Sequence, residues 1–68
     1  MIIFVNGERR EVPARTNLRE VLVGPGETEL QRGVAVAVNG SVVPRARLAE
    51  TELSEGARVE IVTAVQGG

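Results

Sequence analysis

Few groups in this 68-residue chain can do chemistry: nine Glu, two Ser, four Thr and the two chain ends. Cys, His, Lys, Tyr and Asp are all absent. Their absence removes the thiol nucleophile, the imidazole base, the Schiff-base amine and the phenol acid, and with them the usual metal cages. The composition therefore supplies no catalytic residue and no metal-ligand set, and it argues against self-contained catalysis. What remains is the end of the sequence, Ala64-Val65-Gln66-Gly67-Gly68. A terminal α-carboxyl, with an ordinary pKa of roughly 3.3–3.7, is ionised at neutral pH and can attack the α-phosphorus of ATP. Two residues without Cβ make the thinnest thread a chain can offer to a narrow active site, in any backbone conformation. The product would be an acyl-adenylate, which a second nucleophile can displace. At average glycine usage a terminal pair arises by chance in roughly one chain in 200, and a disordered tail or a cloning scar would read the same. The motif alone decides nothing.

An attacking carboxylate needs a rigid body to aim it. Met1 to Asn6 is apolar, rich in β-branched residues, and runs into Asn6-Gly7. That dipeptide is a strong hairpin signal, because both turn positions need positive φ. Glu8 to Pro13 is the return strand, polar enough for an edge and ended by Pro13. Thr16 or Asn17 caps a helix from Leu18 to about Val23. Asn17 with Glu20 forms a capping-box variant, and Leu18, Val21 and Leu22 make one apolar stripe. Gly24-Pro25-Gly26 stops this helix; Glu27 to Arg32 reads equally as a helical turn or a loop.

Val34 to Val38 is a strand with valines on one face and Ala35 and Ala37 on the other, a face that is either shallow or closely packed. Asn39-Gly40 repeats the hairpin signal, and Ser41 to Val43 returns until Pro44. Arg45 to Thr51 is a connection with room for one helical turn. Leu53 is an apolar anchor before the turn at Glu55-Gly56, and Arg58 to Val65 alternates as the last strand. A hairpin, a crossover helix and further strands imply an α+β protein with a mixed sheet of about five strands on one main helix. The arrangement that closes is a β-grasp (ubiquitin-like) fold, with the first and last strands parallel and central. Its expected core is Ile3, Val5, Leu18, Val21, Leu22, Val36, Val59 and Ile61. Residues 1–64 form the domain and 65–68 a flexible tail.

The remaining composition narrows the partners. Eight Arg and nine Glu leave a net charge of −1, without the basic surplus of a nucleic-acid binder. One aromatic residue, Phe4, is too few for a base-stacking platform. No apolar run approaches a membrane span, and Met1 to Val5 lacks the features of a signal peptide. A cytoplasmic protein, monomeric when free, is the expectation.

Three blocks together resemble a known family: Val34-Ala35-Val36-Ala37-Val38-Asn39-Gly40-Ser41-Val42-Val43-Pro44-Arg45, then Leu53-x-Glu55-Gly56, then Val59-Glu60-Ile61-Val62-x-Ala64-Val65-x-Gly67-Gly68. With the Asn6-Gly7 hairpin and the Thr16-x-Leu18 helix start, they are similar to the ThiS-type sulfur carriers of thiamine biosynthesis over essentially the whole chain. The chain departs at Gly24-Pro25-Gly26, where the family more often continues helically. The resemblance implies that an E1-like adenylating enzyme of the ThiF type uses ATP, with Mg, to activate Gly68. It further implies that a sulfur donor, a persulfide supplied through a desulfurase, converts the acyl group to a covalent 1-thioglycine. Thiazole synthase (ThiG type) then draws sulfur from it. The carrier itself binds no cofactor and is no enzyme. Gly67, Gln66 and Val65 would be the residues by which the tail is recognised.

Strand alternation supplies a surface for those partners. If Ile3 and Val5 face the helix, Ile2 and Phe4 point the other way, and Val62 and Ala64 on the adjacent last strand join them. An apolar patch beside the tail marks a partner site, whereas a register shift of one residue would turn every side chain over. Competing functions are another diglycine carrier, such as the small subunit of molybdopterin synthase, or a ubiquitin-like protein modifier.

Overall fold

Both Asn-Gly pairs turn the chain back on itself. Asn6 and Gly7 lie at φ of 50° and 84°, Asn39 and Gly40 at 51° and 87°. Two successive positive values are what a two-residue hairpin needs if it is to follow the twist of its strands. In the computed structural model, whose described residues are 1–23 and 33–63, the first turn joins β1 (Ile2–Val5) to β2 (Glu8–Glu11). The second joins β3 (Val34–Val38) to β4 (Ser41–Val42). A helix α1 (Leu18–Leu22) follows the first hairpin, a 3-10 turn spans Arg45–Arg47, and β5 (Arg58–Thr63) comes last.

The strands form one sheet in the order β2-β1-β5-β3-β4. β1 and β5 are central and parallel, and the other three pairings are antiparallel. This is the β-grasp arrangement expected from the order of elements.

At five residues, α1 is far too short to persist alone. Tertiary bonds hold its first turn instead. Leu18 N–H donates to Thr51 O at 2.8 Å and Arg19 N–H to Leu48 O at 3.3 Å. Asn17 is the cap: its Oδ1 accepts from Glu20 N–H at 2.9 Å, while Glu20 Oε1 accepts from Asn17 N–H at 3.2 Å. The capping box thus closes in both directions. Thr16, the alternative cap, is buried instead, and its hydroxyl donates to Pro13 O at 2.7 Å. Leu53 N–H donates to Thr16 O at 3.0 Å, so the stretch from 48 to 53 is tied to the helix start from both sides.

Five expected core residues, Ile3, Val5, Leu18, Val36 and Val59, are buried. Val21, Leu22 and Ile61 are half-buried and pack against them. Leu53 is buried as an anchor should be, and Leu48 and Ala57 join it; neither of these two belongs to a periodic pattern. The element ends differ slightly from expectation. α1 stops at Leu22, with Val23 already extended, and β4 is two residues long, although Val43 N–H still donates to Val36 O at 2.9 Å. Glu55 ties the turn before β5 to the start of β1, since its Oε2 accepts from Ile2 N–H at 2.8 Å. Gly24-Pro25-Gly26, Glu27 to Arg32, and Ala64-Val65 at the end of the expected last strand lie outside the described residues.

Candidate functional site

Of the residues singled out for function, Ala64, Val65, Gln66, Gly67 and Gly68 lie outside the described residues. The strand that leads to them is well defined. β5 is the middle strand of the sheet, and β3 pairs along its length from Val38↔Val59 to Val34↔Thr63. β1 pairs with it only at Phe4↔Arg58 and Val5↔Val59, because the chain then turns away at Asn6-Gly7. Beyond that point a side chain continues the pairing. Ile61 N–H donates to Asn6 Oδ1 at 2.8 Å and Asn6 Nδ2 donates to Ile61 O at 3.3 Å.

The register also fixes the composition of each face. Ile3 and Val5 are buried on the helix side, so Ile2 and Phe4 lie on the opposite face, both half-buried. Residues directly paired share a face. Arg9, Glu11, Arg58, Glu60 and Val62 therefore lie on the face of Ile2 and Phe4. Ala35 pairs with Val62, and Ala37 with both Glu60 and Val42, which adds two small residues and another valine. Val62 is 61% exposed and Val42 75%.

Ile2, Phe4 and Val62 thus share a face but not a patch. Phe4 pairs with Arg58, and Val62 lies four residues further, roughly 13 Å of strand, with Glu60 between. The residue paired with Val62 is Ala35, at the end of β5 that leads to the tail; Ala37 and Val42 lie one pairing step back, level with Glu60. Ile2 and Phe4 form a separate pair near the start of β5. Val42 was not singled out from the sequence, although the two-residue Asn39-Gly40 turn dictates its pairing with Ala37.

A pocket of about 370 Å³ opens between β2 and α1, with Arg10, Thr16 and Glu20 as its polar lining. Thr16 and Glu20 are committed there to the turn at Pro13 and to the capping box, so the pocket offers little free chemistry. Among the described residues no acidic cluster could hold a metal ion, and no helix is long and apolar enough to cross a membrane.

A solved structure shares this architecture. The crystal structure of a thiamine biosynthesis protein (ThiS) from Geobacter metallireducens superposes with a TM-score of 0.76 at 28% sequence identity, covering 100% of both chains. No curated protein is a significant match to the chain. The model of the ThiS family matches residues 3–68, from the first strand through both terminal glycines; on that span the chain belongs to the ThiS family.

Proposed function

We propose that this protein is a sulfur carrier of thiamine biosynthesis, a co-substrate and not a catalyst. One observation carries the reading: the family match extends through Gly67 and Gly68. The lack of any Cys, His, Lys, Tyr or Asp supports it, because the terminal carboxylate is then the one strong candidate for a reacting group. On a ThiF-type enzyme a Gly68 carboxylate oxygen attacks the α-phosphorus of Mg-ATP. The bond from that phosphorus to the bridging oxygen breaks, and pyrophosphate leaves. The outer sulfur of a persulfide, supplied through a desulfurase, attacks the acyl carbon and expels AMP. A second thiol of the donor then attacks the inner sulfur of the persulfide and breaks its original sulfur–sulfur bond, leaving a thiocarboxylate on Gly68 and a disulfide on the donor. Thiazole synthase of the ThiG type takes the sulfur from there, in the cytoplasm.

The partner surface of this reading is the exposed sheet face. Val62, paired with Ala35 and two residues before Ala64, is the part that leads to the tail; Ile2 and Phe4 are its second apolar element. Val65, Gln66 and Gly67 thread the activating site. ATP–pyrophosphate exchange by the activating enzyme tests the proposal. The intact chain supports exchange and a chain lacking Gly68 does not; equal exchange by both overturns it.

A further inference from the structure

The two Asn-Gly hairpins do more than reverse the chain. In each, the asparagine side chain replaces a main-chain acceptor that the turn has carried out of the sheet. At the first, Asn6 N–H donates to Val59 O at 2.8 Å as a parallel ladder requires. The next bond of that ladder would run from Ile61 N–H to the main-chain carbonyl of residue 6. It runs to Asn6 Oδ1 instead, at 2.8 Å, and Nδ2 returns a bond to Ile61 O at 3.3 Å. At the second hairpin Asn39 N–H donates to Arg58 O at 2.8 Å, and Arg58 N–H donates to Asn39 Oδ1 at 2.9 Å. Both asparagines hold β5, one at its first residue and the other toward its far end.

The difference lies in what else holds β5 at each place. At Arg58 the strand has β1 on one flank and the end of β3 on the other. At Ile61 β1 has already turned away, and β3 pairs from one side only. There the Asn6 carboxamide stands where a further strand residue would be. An amide group has the same donor and acceptor as a peptide unit, so it can serve as one. Ile61 is three residues before Ala64, where the chain continues to Gly68.

We infer that Asn6 is a positioning residue: its carboxamide, bonded to both polar groups of Ile61, substitutes for β1 and fixes the direction in which β5 delivers the tail. The inference rests on the proposed activation of Gly68. Without those bonds β3 alone holds the end of β5, and a looser strand end lowers the fraction of encounters in which the carboxylate is presented along the partner's channel. This loss falls mainly on KM, because a tail once threaded meets the same active site.

The hairpins supply a matched control. Asn6→Gly and Asn39→Gly each keep the positive φ of the turn, and each deletes a carboxamide bonded to β5. Assays use the full chain with its activating enzyme, in ATP–pyrophosphate exchange well below either melting temperature. Both variants are expected to lose a similar, modest amount of thermal stability. Asn6→Gly is expected to raise KM for the carrier about fivefold or more with kcat within about twofold, and Asn39→Gly to leave both constants within about twofold. Asn6→Asp keeps the acceptor for Ile61 N–H, and is expected to recover most of the loss in KM together with slow exchange of the Ile61 amide proton. An unchanged KM in Asn6→Gly, or an equal rise in Asn39→Gly, overturns the positioning role while leaving the proposed function standing. Failure of the unaltered chain to support exchange overturns both.

Discussion

Asn17 and Leu18 show how much a short helix depends on single residues. The Asn17 side chain satisfies one amide of the first turn of α1, and Leu18 is completely buried. Truncating a cap of this kind costs about 1 kcal/mol, so Asn17→Ala is expected to lower the unfolding free energy by about that amount, measured by urea denaturation. Leu18→Ala removes most of a buried side chain and leaves a cavity, for which about 2–5 kcal/mol is usual. In a domain this small, a loss at the upper end of that range approaches the whole of the stability. A Leu18→Ala melting curve matching that of the unaltered protein would mean that α1 is not the element closing the core. Asn17 was legible in the sequence because a capping box is a local pattern, with donor and acceptor three residues apart. The second role of Asn6 was not legible, since its partner Ile61 is 55 residues away and only the folded sheet brings the two together.

At the scale of elements, the hairpins, the capped helix and the central parallel pair were all readable, because each rests on a local signal or on the order of elements. Leu48 and Ala57 were not. They belong to the irregular stretch between β4 and β5, and their burial follows from bonds to distant elements: Arg19 N–H to Leu48 O, and Phe4 N–H to Ala57 O. Alternation correctly separated the two faces of β1 and β5. It could not fix how far β5 slides along β1, and that slide takes Phe4 away from Val62. Val62→Glu is expected to weaken activation more than Arg9→Ala or Glu50→Ala, since apolar anchors dominate interfaces and rim charges contribute little. Its melting temperature should stay close to that of the unaltered protein, because Val62 is 61% exposed. Phe4→Glu is expected to act in the same direction by a smaller factor, being further from the tail. If Val62→Glu is activated as well as Glu50→Ala, the face is not the docking surface.

For the whole molecule, the account separates what folds from what reacts. Among the described residues, which end at Thr63, the core draws on Ile3, Val5, Leu18, Val36, Leu48, Leu53, Ala57 and Val59. Deleting Gly68, or appending one residue after it, is therefore expected to leave the melting temperature nearly unchanged. Either change displaces the carboxylate by one residue of extended chain, about 3.3–3.6 Å. A misplacement of about 1 Å can already cost on the order of 100-fold in rate, so activation should be lost almost entirely. A large fall in melting temperature on deletion would make the tail part of the core. The central claim is that sulfur is carried on the terminal carboxyl, and intact-mass spectrometry reads it directly. The chain is incubated with a ThiF-type enzyme, ATP and a persulfide donor, then weighed whole and as C-terminal fragments. The account predicts replacement of one oxygen by sulfur, confined to the fragment that ends in Gly68; sulfur found elsewhere in the chain, or an unchanged mass, would contradict it.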